Sequence, residues 1–161
     1  MLINQVLYDV ADNGSEPEDE WIELINPTDQ RLMLDGWSIR DGKSVTVLPR
    51  VELAANTAVR IAASASAPGY APAFDGQWIV LNGRIGNGLG NSGDALVLSD
   101  STGQAIDALS WGNDEQVFSP AVELSGPGTP LVRRSGVDTD TAADWTSAAA
   151  DSPAAVGPDQ R

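Results

Sequence analysis

The sequence predicts an all-β fold in which two antiparallel sheets pack face to face. Three observations carry that expectation: apolar residues recur with period two in short runs, Gly, Asn, Asp and Pro separate the runs, and no stretch of ordinary helix length shows helical periodicity. About nine strands of this length suffice for two packed layers, the architecture of a β-sandwich.

The first strand is expected over residues 2–8, where Ile3, Val6 and Tyr8 carry the apolar character, and the second over 20–26, around Trp21, Ile22, Leu24 and Ile25. A third spans 32–40 with Leu34, Trp37 and Ile39. A fourth, 44–48, follows the Asp41-Gly42 pair, a favoured hairpin-turn dipeptide. Residues 57–63 and 77–81 supply the fifth and sixth. The clearest hairpin comes next, with strands at 95–99 and 105–111 joined by Asp100-Ser101-Thr102-Gly103, whose glycine offers the positive φ that the return strand needs. Leu96 and Leu98 should face the core. A ninth strand is expected at 131–135. Between the strands, residues 62–74 are rich in Ala, Ser and Pro; prolines lack donors and small side chains pack little area, so an exposed loop is expected. Residues 1–146 read as one domain, and 147–161, without periodicity, as a flexible C-terminal tail or linker.

Composition excludes several functions. The longest apolar runs, such as Trp78-Ile79-Val80-Leu81, fall far short of the ~20 positions of a spanning helix, so no membrane insertion is expected. With no Cys and no His, disulfides, thiol catalysis, Ser-His catalysis and Cys/His zinc sites all fall away. The start, Met-Leu-Ile-Asn-Gln, has no signal-peptide pattern and resembles a segment cut from a longer precursor. A net charge of −14, from 23 acidic and 9 basic residues, repels phosphate backbones. Direct nucleic-acid binding is therefore not expected, unless a local pair such as Arg133 and Arg134 forms a basic patch.

Each remaining constellation has a structural reading beside the chemical one. Asp41-Gly42-Lys43-Ser44 ends like a phosphate loop, but Trp37 stands where that motif needs Gly, so a hairpin turn is expected. The run from Asn82 to Asp94 resembles one calcium-binding nonapeptide repeat; such repeats work in stacks, and a single copy reads as a loop with left-handed backbone. Carboxylates cluster at residues 9–20 and again at Asp138, Asp140 and Asp144, the hard oxygen chemistry that Ca²⁺ needs, yet neither has the EF-hand spacing. Glu23 is a candidate carboxylate for glycoside hydrolysis, but a Glu inside a sheet is more often hydrogen-bonded structure. Trp21, Trp37 and Trp111 lie in expected strands, which favours packing over a stacking platform. Asn13-Gly14-Ser15 fits the glycosylation pattern.

Read together, Val6-Leu7-Tyr8-Asp9, Glu20-Trp21-Ile22-Glu23-Leu24-Ile25-Asn26 and Leu34-Asp35-Gly36-Trp37-Ser38-Ile39 resemble the first half of a lamin tail domain of the bacterial type. Gly90-Asn91-Ser92-Gly93-Asp94-Ala95-Leu96-Val97-Leu98, Ile106-Asp107-Ala108-Leu109-Ser110-Trp111-Gly112, Leu131-Val132-Arg133-Arg134 and the stretch from Asp138 to Trp145 continue the resemblance over nearly the whole chain. Pro130 departs from the small polar residue that members often carry there. The resemblance implies an immunoglobulin-like β-sandwich with no catalytic, cofactor-binding or metal residues. It further implies a non-catalytic interaction or structural module, an accessory domain of a secreted or cell-surface protein. The expected partner is a protein or a neighbouring domain, with the chain a monomer or weak oligomer; a cytoplasmic location stays open. The alternatives are a calcium-stabilised surface or adhesion domain, with Asp138, Asp140 and the 9–20 loop as ligands, and a carbohydrate- or ester-directed hydrolase.

Overall fold

The computed structural model describes residues 1–69, 71, 73–135 and 137–147. Its strands are β1 (Leu2–Leu7), β2 (Trp21–Asn26), β3 (Leu32–Met33), β4 (Ser38–Asp41), β5 (Val45–Val47), β6 (Glu52–Leu53), β7 (Thr57–Ala62), β8 (Gln77–Val80), β9 (Gly93–Ser99), β10 (Ala105–Gly112), β11 (Leu131–Arg133) and β12 (Trp145–Ser147). The helical content of the described residues is two short 3-10 turns, Ala67–Gly69 and Ala142–Asp144. None of it is long and apolar enough to cross a membrane.

A six-stranded sheet runs β12-β11-β1-β2-β7-β8, a four-stranded sheet runs β10-β9-β4-β5, and β3 pairs with β6 in a small ribbon. The two large sheets face each other as a sandwich. Alternation sends Ile22 and Leu24 of β2, Val59 and Ile61 of β7, and Leu96 and Leu98 of β9 into one buried cluster, with Ile39 and Leu109 beside them. The inward orientation expected for Leu96 and Leu98 holds, and Gly103 closes their hairpin with φ +86°. Trp111 and Tyr8 stack at 5.1 Å, and the Trp111 Nε1–H donates to the Gly90 carbonyl at 2.9 Å. The Ser125 N–H donates to the Tyr8 hydroxyl at 2.7 Å, tying the long 113–130 connection to the end of β1. That connection also shields the outer edge of β10, because the Gly112 N–H donates to the Val122 carbonyl at 2.8 Å and the Val122 N–H to the Ser110 carbonyl at 3.0 Å, with Val122 bridging parallel to Trp111.

Four expectations are corrected. The 32–40 strand divides into β3 and β4 because the chain turns at Asp35-Gly36, with Gly36 at φ +75°. β6 and β12 are additional; at two and three residues they are too short to show alternation in sequence. β8 lies parallel to β7, since the intervening segment crosses back over the sheet before the next strand begins. Residues 62–74 are no free loop: Ala62, Ala63 and Ala67 are buried, and Ala71 packs against Leu7, Val10 and Trp21 on the outer face of the six-stranded sheet. Small side chains let this segment lie flat on that face. The boundary expected after residue 146 falls inside β12, and the tail from 148 onward lies outside the described residues.

Candidate functional site

Arg133 enters the sandwich from β11, beside the start of β1. Its Nε donates to the Ile3 carbonyl at 2.9 Å, its Nη2 to both Asp107 oxygens at 2.9 and 2.7 Å, and its Nη1 to Asp138 at 2.8 Å. The Trp145 ring covers the guanidinium at 4.7 Å. Asp107 also accepts the Ile3 N–H at 2.6 Å; burial pushes its carboxyl above the usual range, against the pull of Arg133 and of that N–H. Asp144 accepts the N–H and the hydroxyl of Thr139, both at 2.7 Å. Those bonds and the nearby Arg133 hold its carboxyl below the ordinary value against burial, which acts the other way. Arg133 is thus a buried counter-ion, and it does not form the basic surface patch considered for Arg133 and Arg134.

Carboxylate oxygens of Asp107, Asp138 and Asp140 lie within 4.8 Å of one another, close enough to converge on a cation. The Arg133 guanidinium already bonds two of these three carboxylates, so a calcium ion there would meet an adjacent fixed positive charge. The 9–20 loop does not join this group. β1 begins next to Asp107 and runs away from it, which separates Ile3 from Asp9 by roughly 20 Å of extended chain.

Glu23 takes the structural role. On the outer face of the six-stranded sheet, in register with Gln5 and Arg60, it accepts Arg60 Nε at 2.8 Å, Asn4 Nδ2 at 2.7 Å and Gln5 Nε2 at 3.3 Å. Both Glu23 and Arg60 are buried. The Arg60 guanidinium lies 4.5 Å from the Trp21 ring centroid, 4.4 Å from Phe74 and 5.7 Å from Trp78. Phe74 meets Trp78 edge-on at 5.7 Å and so closes over the ion pair. Of the tryptophans, Trp21, Trp111 and Trp145 are buried, while Trp37 and Trp78 are half-buried against the core or the outer-face cluster.

At the opposite end of β1 the 9–20 loop meets the glycine-rich 82–92 loop. Glu16 accepts the Val10 N–H at 2.8 Å and the Asn91 amide at 2.9 Å, Asp19 accepts the Ser15 N–H at 2.7 Å and is bonded by the Ser66 hydroxyl, and Glu20 accepts the Leu89 N–H at 3.1 Å. Burial pushes the Glu20 carboxyl up to about 8, opposed by the Leu89 N–H and reinforced by Glu16, Asp94 and Glu18. Asp41 accepts the N–H groups of Lys43, Ser44 and Asn87 at 3.0, 2.8 and 2.6 Å, which confirms the turn reading of Asp41-Gly42-Lys43-Ser44. Gly86 must be glycine here, with φ +56° and room for no Cβ, which would land 1.7 Å from the Asp41 carboxylate.

The residues missed in sequence are Arg60, Asp107 and the pairing of Arg133. For Arg60 and Asp107 the one signal is a charge set between apolar neighbours within a strand, in Val59-Arg60-Ile61 and Ile106-Asp107-Ala108, a signal that Arg133, followed by Arg134, lacks. Sequence also gave no hint of how the remaining basic residues are distributed. Among the described residues, Arg40, Lys43, Arg50 and Arg84 make neither an ion pair nor a side-chain hydrogen bond, and all four are exposed. They flank β5.

A family model described as Lamin Tail Domain matches residues 1–113. No curated protein matches the chain. The matched part ends just past β10, while β11 and β12 complete the same six-stranded sheet as β1 and β2.

Proposed function

Because the chain belongs to the Lamin Tail Domain family, an immunoglobulin-like fold, we propose that it is a non-catalytic interaction or structural module serving as an accessory domain of a secreted or cell-surface protein. The observation that carries this reading is the use made of its buried charges. Glu23, Asp107, Asp144, Asp41 and Glu20 each accept bonds from backbone N–H groups, hydroxyls, amides or an arginine, and those bonds pin loops and strands to one another. Such carboxylates serve the fold, and recognition is left to the surface.

Co-purification of the full-length gene product under native conditions tests the proposal. A defined protein partner, or a neighbouring domain held against this one, supports it. A chain that stays alone and monomeric at all concentrations, or one with hydrolytic activity that Glu23→Gln abolishes, overturns it.

The calcium-stabilised reading has one observation behind it, the convergence of Asp107, Asp138 and Asp140. A native-state ligand raises the melting temperature by mass action, so millimolar Ca²⁺ against chelator decides it. With Arg133 already occupying the cationic role, the expected result is no shift.

A further inference from the structure

Resting on the interaction reading above and deepening it, we propose that the free edge of β5 receives an extended acidic segment of a partner protein as an added strand. β5 is an edge strand of the four-stranded sheet, paired on one side with β4. Its register sets Ile39 opposite Thr46, and the Leu48 N–H donates to the Trp37 carbonyl at 2.7 Å. In an antiparallel ladder hydrogen-bonded pairs alternate, so Thr46 points its N–H and C=O at β4 while Val45 and Val47 point theirs away. Among the described residues no backbone hydrogen bond reaches these outward groups, which leaves a template for main-chain pairing. Thr46 and Leu48 face inward, Thr46 accepting the Gly86 N–H at 2.9 Å. Val45 and Val47 face outward at 58% and 64% exposure, two apolar contacts for the side chains of an incoming strand.

Charge selects the occupant. The chain carries −14 overall, yet among the described residues the basic side chains without an ion pair or side-chain hydrogen bond lie about this strand. Arg40 stands opposite Val45 in β4, Lys43 precedes β5, Arg50 follows it, and Arg84 lies two residues before the Gly86 that bonds Thr46. The nearby Asp41 carboxylate is turned onto backbone N–H groups. A second copy pairing β5 to β5 would bring these like charges together, at an electrostatic cost. A nucleic acid would meet the same charges but has no strand backbone to fill the outward N–H and C=O groups, and the rest of the surface repels it.

The probe is a short fluorescent peptide alternating Glu with Val, measured by anisotropy against the intact chain at low and moderate salt. A matched peptide N-methylated on alternate amides lacks the donors of one edge, and a single-stranded DNA of equal charge controls for electrostatics alone. Val45→Pro removes an outward N–H without touching the β4 ladder, and Arg40→Glu with Lys43→Glu reverses the local charge while leaving the backbone intact. The expected result is saturable binding of the Glu/Val peptide, weakened at least about tenfold by N-methylation, by Val45→Pro and by the charge reversal. Absence of binding at low salt, indifference to N-methylation, or DNA binding as tight as the peptide overturns it. A partner of the full-length protein that Val45→Pro still retains also overturns this edge assignment and leaves the interaction role standing. Peptide binding by a protein that recruits no partner supports the edge and sinks the broader role.

Discussion

Glu20 shows how one residue ties the two loops at the acidic end together. Its carboxyl is buried, accepts the Leu89 N–H, and is pushed from 4.5 up to about 8. Below about 4.5 the folded and unfolded chains both keep the proton; between 4.5 and 8 only the unfolded chain releases it, so the Glu20 contribution to stability falls as pH rises. Glu20→Gln, which keeps an acceptor for Leu89 without the charge, should flatten the decline of the melting temperature across that window. An unchanged slope would mean that the side chain is ionised in the fold. The Glu23–Arg60 pair makes a second case at this scale. Arg60→Met strands a buried carboxylate and should cost about 3–5 kcal/mol in chemical unfolding, whereas adding Glu23→Leu should recover most of that loss. Additive losses in the double variant would show that the two residues are not energetically coupled and would contradict the stranded-charge account.

Among the elements, the 62–76 segment behaves as a cover for the outer face of β2, β7 and β8. Phe74 is its anchor, touching both Arg60 and Trp78. Phe74→Ala should cost about 1–2 kcal/mol and speed limited proteolysis within this segment while the rest of the domain stays resistant. Cleavage at the native rate would show that the segment is held elsewhere. Its small, proline-broken sequence shows that no ladder forms, but not that the segment lies against a sheet, because the face it covers belongs to distant strands. The same reason hid the Arg133 cluster, whose partners Ile3 and Asp107 lie 130 and 26 residues away. By contrast, the hairpin 95–111 was legible outright, since alternation and turn chemistry are both local. Glu23 was legible as structural for the same reason, being one charge inside an apolar strand.

For the whole molecule, the fold is a two-layer sandwich whose interior charges hold it together and whose outer edges differ in how they are finished. The outer edge of β10 is shielded by the bridge from Val122, while among the described residues β5 is paired on one side alone and bordered by cations without an ion pair. β11 and β12, beyond the family match, belong to the same six-stranded sheet as β1. Amide-resolved hydrogen exchange on the isolated chain tests this description most directly. Slow exchange is expected for Thr57–Ala62 in β7 and for Val132 beside Gln5, and protection for Thr46 against β4, with Val45 and Val47 exchanging fast. Equal protection of Val45, Thr46 and Val47, or free exchange throughout β11, would contradict it.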